Sequence, residues 1–305
     1  MRKNILIVGY GSIGKRHARN LMGLGIRPYI LTTHPDSLNA GFTSDINKIK
    51  NENIEYCIIS SPTGMHLEDF RKCVTSLRAL KKIIIEKPLE CSYSRGEQIK
   101  DISIRHKLET VVAYNLRFIN AFNIIGKFVR KQKNRIKIVE AVAGQDLREW
   151  RPHQDFRESY SACRGRGGGV DLDLSHEVDY ILWIFGNRFR HRLAYRTKIS
   201  SLEIDSPDVF KLFLDYKKFI IDIDLDYIRR PKERYLKIIC DNGKNLYYDF
   251  VTGILKLGGR KVTLKNDLDQ SYKKMLKEFL GISRLTTGKI CSLDEALNVL
   301  KVLGV

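Results

Sequence analysis

The sequence has no Cys-x-x-Cys pair. Its six cysteines (Cys57, Cys73, Cys91, Cys163, Cys240 and Cys291) lie scattered, without the spacing of a zinc site, so no metal is expected. No window approaches the ~18 uninterrupted apolar residues that a membrane-spanning helix needs. The apolar run after Met1-Arg2-Lys3-Asn4 is too short for a signal peptide and is broken by glycines. Internal repeats and low-complexity stretches are missing too. These absences predict a cytoplasmic, soluble chain with reduced thiols and no membrane partner. Acidic residues are the other shortage: 35 Asp plus Glu stand against 54 Lys plus Arg, a formal net charge of +19. Such an excess asks for an anionic partner, whether nucleic acid, a membrane surface or small phosphates. It is not a tail, because residues 1–120 hold 19 basic and 11 acidic residues and residues 121–305 hold 35 and 24. One acid-free basic stretch, residues 117–137, reads as a solvated face. With no nucleic-acid recognition module and the cations spread through both halves, nucleic acid is not the expected partner.

What is present is enough for real cores. The 305 residues are 43% hydrophobic and 29% charged, which excludes global disorder and favours two domains. In the first part, short β-branched runs at 4–8, 28–32, 56–60, 82–86 and 109–113 alternate with helical patterns. Near-continuous apolar strands with helices between them predict a doubly wound parallel sheet covered on both faces. Beyond residue 120 the runs at 135–144, 191–204, 209–216, 219–227 and 234–240 are longer, and several alternate strictly. In the run 219–227 the odd positions are apolar while Asp222, Asp224 and Asp226 fill the even ones, as in a half-exposed antiparallel sheet. These aspartates read as solvated carboxylates, not as a cation site. Asp241-Asn242-Gly243 is a hairpin signal. Helices are expected over 270–280 and 292–303. The expected organisation is α/β: a dinucleotide-binding Rossmann domain over 1–120, and over 121–305 a second α/β domain with an open, mainly antiparallel sheet.

The run at 4–8 leads directly into Gly9-Tyr10-Gly11-Ser12-Ile13-Gly14, and a helical pattern follows at once. In that context Gly9 allows a tight turn, Gly11 lets a pyrophosphate approach, and Gly14 lets helix and sheet pack closely. Ser12 and Ile13 would open the helix whose N–H groups meet the phosphates. Strand two should end near Thr32-Thr33-His34, where no carboxylate is present to accept the ribose hydroxyls. Those residues would admit NADP as well as NAD; Asp36, the nearest acid, comes too late. Ser61, Pro62, Thr63 and His66 follow a strand, as does Asn115, and so lie at the carboxyl edge where cofactors bind. Glu86 and Lys87 stand at the corresponding edge after the run 82–86.

Taken together, Gly9-to-His17, Ser61-Pro62-Thr63-Gly64-Met65-His66, Glu86-Lys87-Pro88, Asn115-Leu116-Arg117-Phe118, Gly167-to-Tyr180 and Ser292-to-Leu297 resemble the glucose–fructose oxidoreductase / inositol dehydrogenase (Gfo/Idh/MocA) family over essentially the whole chain. The resemblance implies NAD(P)-linked oxidation or reduction of sugars, cyclitols or sugar nucleotides. It also implies a homo-oligomer, dimer or tetramer, formed through the C-terminal sheet. Lys87 matches the family's catalytic lysine, His176 its acid/base histidine and Asp173 an aspartate near the substrate hydroxyls. The chain departs from the family in having two residues, Leu174 and Ser175, between Asp173 and His176, where three are usual. That shorter turn resembles a subgroup associated with surface-polysaccharide and nonulosonic-acid pathways. A second departure is Asn120, where many relatives carry proline. Asp173 or Glu177 could orient the His176 ring. Arg157 and Tyr160 are expected substrate contacts; Arg117 is placed to meet substrate or cofactor anions or, alternatively, to form a domain-interface salt bridge; Arg229, Arg230 and Arg234 could bind phosphate or cover the sheet edge. The competing function is a dinucleotide-binding sensor or scaffold without turnover, for which Lys87 and His176 would be unnecessary.

Overall fold

The computed structural model describes residues 3–33, 41–265, 267–282 and 288–305. The chain divides into two compact units: residues 1–118 with 268–300 and 305, and residues 119–267 with 301–304.

In the first unit the short apolar runs become strands β1 (Ile5–Val8), β2 (Tyr29–Leu31), β3 (Gly41–Thr43), β4 (Tyr56–Ile59), β5 (Lys82–Ile85) and β6 (Glu109–Val112). All pair in parallel, in the order β6-β5-β4-β1-β2-β3, and the short strand Cys291–Ser292 adds antiparallel to β6. Each run is too short for a stable helix and, because it is buried on both faces, lacks polar alternation. The order reverses between β1 and β4, which is the switch point where open α/β sheets bind ligands. Helix α1 (Ser12–Met22) buries Gly14, His17, Ala18 and Leu21, one stripe at helical spacing. Helices α2 (His66–Ser76) and α3 (Tyr93–Arg105) follow β4 and β5, and the Ser92 hydroxyl caps α3 by accepting the Arg95 N–H.

The division differs from a single cut near residue 120. Helix Leu268–Phe279 places Tyr272, Met275, Leu276 and Phe279 in the same core as Ile5, Ile7, Ile58 and Ile84. At about 1.5–3 kcal/mol per fully buried side chain, that stripe holds the segment to the first unit. Its amphipathic pattern is readable in the sequence; which core it covers is not.

The second unit contains α4 (Ala121–Gln132), α5 (Val170–Asp173) and α6 (His176–Phe185). Among the described residues its sheet has eight strands, β7 (Ile136–Gly144), β8 (His191–Thr197), β9 (Val209–Asp215), β10 (Ile220–Asp226), β11 (Glu233–Cys240), β12 (Leu246–Asp249), β13 (Ile254–Leu257) and β14 (Arg260–Thr263). The order is β14-β13-β12-β11-β7-β10-β9-β8, with β7 and β10 parallel and every other pair antiparallel. Ile221, Ile223 and Leu225 are buried as the alternation of β10 requires. Asp222 and Asp224 lie on the other face, and Asp224 pairs with Lys211 and Arg229. Asp226 departs from the solvated expectation: it is buried, and its Oδ1 accepts the N–H groups of Ile228 and Arg229. Among the described residues no helix is long and apolar enough to cross a membrane, and all six cysteines are free thiols.

Candidate functional site

The first unit gathers most of the expected cofactor residues on one edge. Strands β1, β2, β4, β5 and β6 run parallel, so the chain leaving each delivers Gly9–Gly14, Thr32 and Thr33, Ser61–His66, Glu86–Lys87 and Asn115 to the same side of the sheet. Gly9 has φ +86°, and a Cβ there would stand 2.6 Å from the Ser61 nitrogen. A Cβ on Gly14 would stand 2.2 Å from the Gly9 oxygen, whereas one on Gly11 would meet nothing within 4 Å. The loop is thus packed against the sheet at Gly9 and Gly14 and open at Gly11. Helix α1 starts directly behind it with no side-chain cap and no acid in its first turn. Its first N–H groups have no intrahelical acceptor and carry the positive end of the helix dipole, so the cradle suits a pyrophosphate. Ser60, which sequence reasoning passed over, braces the loop with its hydroxyl 3.0 Å from the Val8 oxygen and 2.9 Å from the Gly9 oxygen. Nothing in the pattern distinguishes it from any small polar residue after a strand.

Several expected ligands are occupied by the protein itself. Glu86 sets Oε1 2.7 Å from Nε2 of fully buried His17 and accepts the Lys87 N–H at Oε2, so it links α1 to the lysine segment. The His66 ring is buried between the carbonyl oxygens of Leu89 (3.1 Å from Nδ1) and Ser61 (3.0 Å from Nε2); it ties two loops together in place of a cofactor contact. Buried Asn115 donates from Nδ2 to the Ser271 hydroxyl. Of the two readings of Arg117, the structure shows an ion pair. The residue is 1% exposed and donates to Oε1 of Glu295, while Oε2 of Glu295 accepts the Ser292 N–H. A guanidinium so enclosed is a structural ion pair, not a substrate contact. Lys87 is half-buried directly after Glu86, and the Lys87–Pro88 peptide is cis. Pro62 is exposed and Thr63 buried at the turn that leads into α2. Thr32 donates its N–H to the Thr43 oxygen; His34 and Asp36 lie outside the described residues.

The second unit builds its own polar cluster. A Cβ on Gly168 would stand 2.2 Å from the Tyr160 oxygen, and Gly169 has φ +131°. Only glycines let loop 160–168 fold this tightly beneath α5. Helix α5 ends at Asp173, Leu174 and Ser175 interrupt the helix, and α6 begins at His176. Asp173 and His176 therefore flank this break, 5% and 9% exposed. The hydroxyl of fully buried Tyr227 donates to Asp173 Oδ2 at 2.5 Å. Burial pushes the Tyr227 phenol well up, with Asp173 adding to the shift. The Asp173 charge, then burial, pushes the half-buried Tyr160 phenol up as well. Both phenols stay protonated near neutral pH and face the carboxylate as donors. Tyr227 carried no signal in the sequence, where it looked like one more apolar position of a strand.

The remaining expectations resolve differently. Glu177 does not orient the His176 ring; it is fully buried and accepts Arg234 Nε at 2.7 Å and Nη2 at 3.1 Å. Arg229 pairs with Asp224, Asp226 and Glu233, and Arg230 pairs with Asp146 and Glu149. Each of these three guanidiniums is paired with at least one carboxylate. Arg157 is 54% exposed and held by Asp155 and Glu203, so its charge is already neutralised. Among the described residues, no group of three or more His, Cys, Asp or Glu side chains is placed to hold a metal.

No protein-family model matches the chain. A curated relative, scyllo-inositol 2-dehydrogenase (NADP(+)) IolW of Bacillus subtilis (strain 168), is 24% identical over 223 residues, covering 70% of this chain and 59% of the relative. The match thus spans less than two thirds of that relative's length. Of the solved structures, the WlbA dehydrogenase from Bordetella pertussis in complex with NADH and UDP-GlcNAcA is similar with TM-score 0.80 and 16% identity, over 99% of this chain and 94% of that one. A super-repressor mutant of Gal80p from Saccharomyces cerevisiae is similar with TM-score 0.81 and 13% identity, over 100% and 94%. The solved structures bear out the α/β fold, and the curated relative agrees with the resemblance to inositol dehydrogenases.

Proposed function

We propose that this chain is an NAD(P)-dependent oxidoreductase acting on a hydroxyl or keto carbon of a sugar or sugar nucleotide, in carbohydrate metabolism of the surface-polysaccharide or nonulosonic-acid type, in the cytoplasm. The observation that carries the reading is the glycine cradle at the switch point, open at Gly11 and backed by the uncapped start of α1. Gly9, Gly11, Ser12, Ile13 and Gly14 would hold the pyrophosphate, with Thr32 and Thr33 toward the ribose. When bound, the nicotinamide would supply a hydride acceptor or donor. Lys87 is proposed to donate a hydrogen bond from Nζ to the substrate oxygen, stabilising charge as it develops there. His176 is proposed to take up the hydroxyl proton and Asp173 to hold substrate hydroxyls. The two phenols on Asp173 support its part, since they fix the carboxylate in one orientation.

A homo-oligomer through the open face of the second sheet is proposed with it. Leu193 and Tyr195 are 71% and 62% exposed there, and they border a depression of about 410 Å³ that also includes Lys211, Phe213, Asp222 and Tyr235. Exposed apolar residues around such a depression are a feature of association surfaces. Light scattering of the purified chain tests this, and a monomer at micromolar concentration would exclude it.

The central test is fluorescence titration with NADH and NADPH, then a turnover screen of UDP- and CMP-sugars against free sugars. Lys87→Ala should abolish turnover and leave dinucleotide affinity within about twofold. If neither dinucleotide binds, the reading fails. Binding without turnover on any sugar would favour a sensor or scaffold instead.

A further inference from the structure

The loop leading to Gly167 is rich in arginine, and nearly every guanidinium near it is matched by a carboxylate. Arg148 meets Asp146 at 2.7 Å, Arg157 meets Asp155 and Glu203 at 2.7 Å, Arg230 meets Asp146 at 2.9 Å, and Arg164 lies 3.5 Å from Asp171. Two guanidiniums are exceptions: Arg166, which reaches the Glu158 carbonyl oxygen at 3.5 Å, and Arg151, which among the described residues has no carboxylate within ion-pair distance. Arg151 is nevertheless not a solvated surface residue. Its side chain is half-buried, and the guanidinium carbon sits 5.4 Å from the centroid of the Tyr160 ring. Such a cation–π contact contributes about 0.5–2 kcal/mol, depending on desolvation, and among the described residues the guanidinium donors have no carboxylate partner. The Tyr160 hydroxyl in turn lies against Asp173. A preorganised, uncompensated cation therefore stands one aromatic ring away from the carboxylate assigned to the substrate.

We propose that Arg151 is the anion-recognition residue of the substrate site, selecting sugars that carry an oxyanion, phosphoryl or carboxylate, over neutral sugars. The guanidinium fork matches either group with two parallel hydrogen bonds, which an ammonium does not. Held against Tyr160, it gives up little conformational entropy on binding. This inference rests on the oxidoreductase reading above.

The test uses the full chain saturated with NADH and three calorimetric titrants: UDP-N-acetylglucosamine for phosphoryl, glucuronate for carboxylate and scyllo-inositol as the neutral control. The wild type should bind at least one anionic titrant more tightly than scyllo-inositol, and the arm that binds identifies the oxyanion. Arg151→Met should weaken that titrant about ten- to a hundredfold, the worth of a charged hydrogen bond. It should leave NADH affinity and any scyllo-inositol binding unchanged. Arg151→Lys should restore only part of the loss, because the fork is missing. Circular dichroism guards against misfolding, and Tyr160→Phe, which keeps the ring, should retain the anionic preference. Equal weakening of all titrants, an unchanged anionic affinity in Arg151→Met, or a wild type that prefers the neutral sugar would overturn the proposal. Failure to bind NADH at all would instead mark failure of the oxidoreductase reading.

Discussion

Replacing Arg234 by Met tests whether the second unit depends on one enclosed ion pair. Glu177 is fully buried, and the Arg234 side chain is 21% exposed. The guanidinium delivers two hydrogen bonds, at 2.7 and 3.1 Å, and packs over the Phe250 ring. Burial alone would lower the guanidinium, but the charge and hydrogen bonds of Glu177 outweigh it and hold Arg234 above its ordinary value. Removing the arginine leaves a carboxylate in the interior with no cation, which costs about 3–5 kcal/mol. For a unit of this size each kcal/mol corresponds to about 2–4 °C, so the melting midpoint should fall by roughly 6–20 °C. Both tryptophans, Trp150 and Trp183, lie in the second unit, so tryptophan fluorescence during urea or thermal unfolding follows that unit alone. The double change Glu177→Leu with Arg234→Met removes both charges and should recover most of the loss, because a pair replaced by apolar groups no longer carries its desolvation cost. If Arg234→Met costs less than about 1 kcal/mol, or the double variant is no better than the single one, the pair is not the strut described here.

Three further expectations follow from other sites. Gly14→Ala forces a Cβ to within 2.2 Å of the Gly9 oxygen, so NADH affinity should drop more than about tenfold; wild-type affinity by fluorescence titration would refute the packing of the cradle. Tyr227→Phe keeps the buried ring and deletes only the donor to Asp173, so kcat/KM should fall about ten- to a hundredfold with NADH affinity intact; unchanged turnover would remove Asp173 from the proposed machinery. The hydrogen bond from Arg148, against an opposing effect of burial, holds the Asp146 carboxyl down at about 2 from the usual 3.8. A depressed folded value means that stabilisation is complete above pH ~4 and is lost as pH falls through about 2. Asp146→Asn should therefore cost about 1–2 kcal/mol at pH 7, with Arg148 half-exposed and screened, and nothing below pH 2. A difference that does not shrink between pH 5 and pH 2 in urea titrations would contradict the assignment.

Features that depend on neighbours in sequence were legible without the structure. The strand–glycine–helix order of residues 4–24 imposes a Rossmann start because turn geometry and helix dipole act over a few residues. The alternation of 219–227 likewise implied a sheet with one covered face. Legibility stopped where a side chain's partner is distant in sequence. Arg117 and Glu177 have the chemistry of site residues, yet each is taken by a charge 178 or 57 positions away. His66 reads as a ligand by its place after a strand, but two backbone carbonyls enclose it. Asp226 shared the pattern of its neighbours and only the bend after β10 buried it.

The sequence by itself thus determined the class of fold, the location of the cradle and the residues at the strand ends, since backbone stereochemistry and hydrophobic periodicity are local. Tertiary structure alone decided which polar groups remain for chemistry. Burying a charge demands a partner, and long-range packing selects that partner. Helix Leu268–Phe279 joined the first core by the same rule, applied to apolar surface. Of a basic excess of nineteen, the arginines nearest Asp173 proved mostly neutralised in place, and Arg151 stood apart because the fold brought it an aromatic ring instead of a carboxylate.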